Sequence, residues 1–141
     1  MAKMIPSAED YRTYDGAHCF ALWKSLDDSW RCPGCGRSKF EIMRWMRRTP
    51  HGREPFWGWM AGLHTHHDHS QGCVDVGRGR FAEVVVCDQC NAVDGLAKRR
   101  LGLPSGFSFT PAEIRQFVKP DPHGRHTIDF ERARRIYEAL R

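Results

Sequence analysis

The sequence predicts an α+β fold: two strands and the helix that follows them form the core, and helical segments flank it on both sides. Three observations carry that prediction. Two Cys-x-x-Cys pairs, Cys32/Cys35 and Cys87/Cys90, bracket the middle of the chain. Runs of aromatic and β-branched residues lead up to the second pair, and a helical pattern begins on it.

A chain of 141 residues has the length of one domain. We divide it into an N-terminal helical segment (1–31), a core (32–104) and C-terminal helices (105–141). Residues 7–30 start with a Ser/Glu-rich cap signal, and Phe20, Leu22, Trp23 and Leu26 fit one helical face, which gives one or two short helices. In RCPGCG, Pro33 and Gly34 are expected to supply the angles of a tight metal knuckle. Residues 37–58, with breaks at Pro50, Gly52 and Pro55, read as an inserted basic, aromatic loop or hairpin. Trp59 to Asp68 reads as one strand, Gly72 to Gly79 as a turn and Phe81 to Val86 as a second strand, paired as an antiparallel hairpin.

From Asp88 to Arg100 the pattern is helical: Val93, Ala97 and Leu101 face the core, and Asn91, Asp94 and Lys98 share another face. Gly102 and Pro104 stop it. Thr110, Pro111 and Glu113 are the cap, first turn and capping partner of a further helix, and residues 128–140 close the chain as an amphipathic helix.

Thiolates at Cys-x-x-Cys spacing occupy two corners of a tetrahedron, so two pairs make a closed zinc site. Residues 36–86 lie between the pairs, so the ion would staple the start of the core to the end of the hairpin. Four thiolates leave no position for substrate, which assigns this Zn²⁺, one per chain, to folding rather than catalysis. Four buried free thiols are the alternative. Cys19 and Cys73 match no pairing and read as packing or incidental thiols.

Lysine and arginine total 22 against 17 aspartate and glutamate, a formal charge of +5, and the eight histidines add positive charge at mildly acidic pH. This balance favours a polyanionic partner, the alternative being that net charge only sets solubility and non-specific adhesion. The sequence shows neither a signal-peptide pattern nor a run of membrane-spanning length. The expectation is a soluble cytoplasmic protein without a membrane partner, in which reduced cysteines bind metal.

Half of the histidines, His64, His66, His67 and His69, crowd into LHTHHDH together with Asp68. On a strand His67 and His69 would share one face, and His64, His66 and Asp68 the other. A surface strand or a second metal site unrelated to catalysis is the bland reading.

The run His66-His67-Asp68-His69, followed by a hairpin and by Val84-Val85-Val86-Cys87-Asp88-Gln89-Cys90-Asn91-Ala92-Val93-Asp94-Gly95, resembles the phage recombination endonuclease VII family, a branch of the HNH or His-Me finger nucleases. The family pattern is an Asp-His-Asp-His strand, a strand ending in Cys-x-x-Cys-Asn, and an acidic residue followed by glycine on the helix. The match runs from Cys32 to about Arg100. The resemblance implies a zinc-stapled ββα-metal core and metal-dependent hydrolysis of DNA. It implies His67 as general base, and His66 with Asn91 as ligands of one divalent ion, which Asp94 would bind or orient. The alternative register uses Asp68 as ligand and His69 as base.

In the family the position of His66 is an aspartate; the DNase colicins of the same superfamily resemble this chain in having His-His there. Imidazole suits transition metals better than Mg²⁺, so either Mg²⁺ or a transition-metal ion stays open as catalytic cofactor. Arg44, Arg47, Arg48, Lys98 and Arg99, together with Arg53, Arg78, Arg80 and Arg100, flank the motif in sequence and are the expected phosphate contacts. The N-terminal amides of the helix near Cys87 are a further expected contact. A homodimer, which junction resolution in that family needs, has no clear sequence signal. Two competing readings are a non-catalytic zinc-finger DNA-binding module and a zinc-stabilised protein-interaction domain.

Overall fold

Local signals set most of the elements in the computed structural model, which describes residues 2–68 and 80–141. Ser7 caps α1 (Ala8–Thr13) through a capping box with Asp10. A single 3-10 turn (Ala17–Cys19) leads into α2 (Phe20–Ser25), of which only Trp23 is buried. Phe20, expected on the inner face, is 49% exposed. A second capping box, Ser38 with Glu41, starts the short α3 (Lys39–Ile42), an element not expected from the sequence. The buried Lys39 ammonium donates to the carbonyls of Trp23 and Leu26 at the end of α2 and lies 4.2 Å over the Trp23 ring. Its charge therefore binds the N-terminal segment to the core.

The basic stretch forms an antiparallel hairpin of β1 (Arg44–Arg48) and β2 (Phe56–Met60), with Arg44 opposite Met60 and Arg48 opposite Phe56. The expected strand from Trp59 to Asp68 is broken in two: β2 ends at Met60, and β3 (Leu63–His66) pairs with β4 (Val84–Cys87) instead. Gly62 is the reason. A Cβ at Gly62 would lie 2.6 Å from a carboxylate oxygen of Asp88, and the Gly62 carbonyl accepts from the Asp88 amide at 2.9 Å. The chain must turn there to meet the start of the next helix. The second strand begins at Val84 rather than Phe81, and the expected turn at Gly72 to Gly79 lies outside the described residues, as do His69, Cys73 and Arg78.

Helix α4 (Asp88–Leu101) follows β4 without a linker and buries Cys90, Val93 and Ala97, and Gly102 ends it in the left-handed conformation, φ 67°. Among the described residues, strand, antiparallel strand and helix follow one another, which gives an α+β chain. Thr110 caps α5 (Pro111–Phe117) with Glu113 as its partner. The closing helix is shorter than expected: Thr127–Ile128 form β6, paired with β5 (Val118–Lys119), and Asp129 caps α6 (Phe130–Ala139). Phe109, Phe117, Met43, Ile114 and Val86 are the largest fully buried apolar side chains. They join α3, β4, α5 and the segment before α5 in one core. Among the described residues no helix is long and apolar enough to cross a membrane.

Candidate metal centre and catalytic cleft

The first knuckle is set by two glycines with different tasks. The left-handed angle falls on Gly36, φ 79°, and not on Gly34 as the turn sequence suggests. Gly34 is needed for space, because a Cβ there would lie 2.8 Å from the Cys90 sulfur. The Cys32 carbonyl accepts from the Gly36 amide, and the Cys32 amide donates to the Arg37 carbonyl. Cys87 supplies the cap position of α4 and Cys90 its first turn, so the helix start delivers the second pair.

The four sulfurs are buried and lie within 4.8 Å of one another. Cys32 and Cys90 Sγ are 3.8 Å apart, and Cys35 and Cys87 Sγ 3.9 Å. A tetrahedron of sulfurs ~2.3 Å from zinc has edges of ~3.8 Å, so the donor set fits a closed structural zinc site. Contact with Cys32, and then with Cys35, pushes the Cys87 and Cys90 thiols far above the usual thiol range, while contact with Cys32, and then with Cys87, holds Cys35 far below it. Four thiolates packed this closely repel one another unless a cation lies between them.

Sequence reasoning missed the residues around this centre. Arg37, only 3% exposed, donates from Nε to Cys35 Sγ at 3.3 Å and from Nη2 to Cys87 Sγ at 3.4 Å, and its Nη1 reaches the carbonyls of Asp121 and Gly124. The Cys87 amide donates to Cys32 Sγ, and His126 Nε2 lies 3.3 Å from Cys90 Sγ. A zinc tetrathiolate carries a net charge of about −2, which a buried guanidinium and these N–H groups offset. The only signal for Arg37 was its place two residues beyond Cys35; His126, far along the chain, gave none.

The second region lies one helical turn further along α4. Asn91, Asp94, Lys98 and Arg99 line an open cleft of about 500 Å³ together with His64 and His67. Asn91, Asp94 and Lys98 thus share a face, as their spacing predicts. The faces expected for the histidines hold in part: His66 and Asp68 are both buried, whereas His64, expected beside them, is exposed and lines the cleft with His67.

His66 Nε2 lies 2.8 Å from the Phe109 carbonyl, which makes Nε2 the proton-bearing nitrogen and leaves the lone pair on Nδ1. That nitrogen faces Asn91 Oδ1 at 3.4 Å. Two acceptors turned towards each other at this distance match the separation of two ligands ~2.1 Å from one ion, ~3.0–3.4 Å, and a metal-binding histidine usually donates its other N–H to a carbonyl. His66 and Asn91 therefore fit as a pair of ligands. Phe81 stacks on the far side of the ring at 5.0 Å.

Both aspartates carry bonds of their own. Asp68 accepts from the backbone amide of Arg80, and Asp94 accepts from the Phe109 amide at 2.7 Å and pairs with Lys98 at 3.2 Å. Among the described residues the four cysteines are the one group of three or more His, Cys, Asp or Glu side chains placed to hold a metal ion. The Phe109 peptide unit links Asp94 on α4 to His66 on β3, a brace with no signature in the sequence. Arg80 strengthens it by pairing with Glu113 at 2.7 Å, donating to the Ser108 carbonyl and lying 4.8 Å over Phe107. His67 Nδ1 lies 3.4 Å from the Thr65 carbonyl, and in the tautomer that donates to it the basic lone pair is on Nε2.

The expected phosphate contacts divide. Lys98 and Arg99 line the His67 cleft, whereas Arg44 and Arg47 line a second cleft on the β1–β2 hairpin. Arg48 lies 5.1 Å over Phe56, and Arg53 lies 6.0 Å from the same ring. Arg80 takes part in the brace through Glu113, and Arg100 packs over Phe130. Cys19 donates weakly to the Leu63 carbonyl, in keeping with a packing role. Comparison with protein-family models, curated proteins and solved structures returns no match for this chain, so any functional reading rests on this geometry.

Proposed function

We propose that the chain is a metal-dependent DNA endonuclease of HNH type, with a ββα-metal core in which zinc fixes the start of α4. The observation that carries this reading is the convergence of His66 Nδ1 and Asn91 Oδ1 beside an open, basic cleft that also holds His67. His67 Nε2 takes a proton from water as the water oxygen attacks phosphorus, the P–O3′ bond breaks, and the 3′ oxygen is protonated from solvent. Lys98 and Arg99 lie where the phosphate chain would pass. Asp94 acts from behind: through Phe109 it holds His66 in the tautomer that leaves Nδ1 open to a ligand role. A divalent ion held by His66 and Asn91 would neutralise charge on the phosphate and on the leaving oxygen. With an imidazole and an amide oxygen as donors, Mn²⁺, Co²⁺, Ni²⁺ or Zn²⁺ suits this pair better than Mg²⁺.

One observation favours a second reading, a non-catalytic zinc-braced DNA-binding module: His66 is fully buried, and an Asn91 amide turned to present its nitrogen would satisfy Nδ1 as it would in a purely structural histidine. Nicking of supercoiled plasmid, tested with a series of added divalent ions, separates the two. The nuclease reading expects ion-dependent nicking, strongest with a transition metal. Binding to the plasmid without nicking under any ion would leave only the binding module.

A further inference from the structure

The β1–β2 hairpin carries chemistry that the His67 cleft does not use. Its register puts Arg47 opposite Trp57 and Trp45 opposite Trp59, so these four side chains share one face of the ribbon. Trp45 and Trp59 meet edge to face at 5.0 Å, while Trp57 stands 61% exposed. An indole this exposed is uncommon on a surface without a partner.

Beside this face lies a cleft of about 620 Å³, lined by Arg44, Arg47, Trp45 and Trp57 on one side and by His123 and Arg125 on the other. It shares no lining residue with the His67 cleft. The acid that lines it, Asp121, is paired with Lys3 at 2.6 Å. Arg44 is half-buried, and its pKa is held below the ordinary arginine value, chiefly by burial and further by the positive charges of Arg125 and Arg37; Asp88 opposes them. Arginine stays charged throughout. The cleft is thus a cationic groove whose positive charges outnumber their partners, edged by flat aromatic rings.

We infer that this cleft holds an unpaired stretch of DNA strand, with Arg44, Arg47 and Arg125 on its phosphates and Trp57 stacked on a base. Guanidinium groups alternating with exposed indoles are how proteins hold single strands, because every base offers a π-face. A blunt duplex keeps its bases in their own stack, so it would engage the arginines and leave Trp57 idle. This inference rests on DNA as the substrate of the His67 cleft, and it adds that the substrate includes unpaired nucleotides.

The test is fluorescence anisotropy without added divalent ion, using a labelled oligothymidylate of about 12 nucleotides and a blunt duplex of the same length. Wild type binds the single strand more tightly. Trp57→Ala, an exposed position that leaves the core untouched, weakens single-strand binding at least about fivefold while duplex binding stays within about twofold. Arg47→Gln and Arg125→Gln each lower the slope of log affinity against log salt by about 0.7 on the single strand. Single-strand binding by Trp57→Ala equal to wild type overturns the assignment. So does a Trp57→Ala variant whose only change is loss of self-association in sedimentation, which would give this face to a second copy. Ion-dependent plasmid nicking, measured in parallel, keeps the two ideas apart: loss of the Trp57 effect with nicking intact sinks only the hairpin assignment. The Trp57 effect without nicking sinks only the nuclease.

Discussion

The four-cysteine centre and the His67 cleft are built on the same helix a turn apart, yet they differ in almost every physical respect. The cysteine centre is closed, with all four sulfurs buried and N–H groups of Arg37, Cys87 and His126 directed at them. The cleft is open, and the buried His66 beside it is positioned by distant backbone, the carbonyl of Phe109, whose amide Asp94 holds. One region spends its side chains on holding a shape. The other takes that shape and presents polar groups to solvent.

The comparison breaks most visibly at the cysteines. Cys90→Ser, or a strong chelator, is expected to unfold the core, because structural zinc contributes on the order of 10 kcal/mol, comparable with the whole stability of a domain. Circular dichroism with metal analysis checks this: one zinc per folded chain is expected, and a stable fold without zinc would remove the staple from the account.

A smaller effect is expected from the partners of those sulfurs. Arg37→Met keeps the bulk but removes two N–H···S bonds and the bonds from Nη1 to the carbonyls of Asp121 and Gly124, which keep only those from the Gly124 amide and the Gln89 side chain. Loss of such outer partners lowers metal affinity roughly 10- to 100-fold. Zinc release to a chromophoric chelator should quicken accordingly, and an unchanged release rate would make Arg37 a bystander.

Smaller still is the brace behind the cleft. Asp94→Asn weakens the bond from the Phe109 amide and leaves the largely buried Lys98 without its counter-charge, at a cost of about 1–3 kcal/mol in thermal stability with zinc retained. Lost cleavage with no loss of stability would instead make Asp94 an ion ligand.

What the sequence disclosed follows the same division. The Cys-x-x-Cys pairs, the capping boxes at Ser7 and Thr110, and the shared face of Asn91, Asp94 and Lys98 were legible because each depends on residues close in sequence. The break at Gly62 was not, because it depends on Asp88 in another element. Arg37 and His126 at the metal centre, Phe109 behind His66, and the use of Asp68 and Arg80 as scaffold are contacts between segments far apart in sequence, which periodicity cannot see. The histidine run was conspicuous, and alternation grouped His66 with Asp68, both buried, but it also grouped His64 with them, which is exposed.

The most direct test of the central claim is single-turnover cleavage of DNA by wild type, His67→Ala and Asn91→Ala, with zinc content and fold measured on the same samples. The account predicts an ion-dependent wild-type rate that falls roughly 10²–10⁴-fold in His67→Ala, with a comparable loss in Asn91→Ala, while zinc and fold are retained. Wild-type rates in both variants, or rate losses that appear only where zinc is lost, would contradict it.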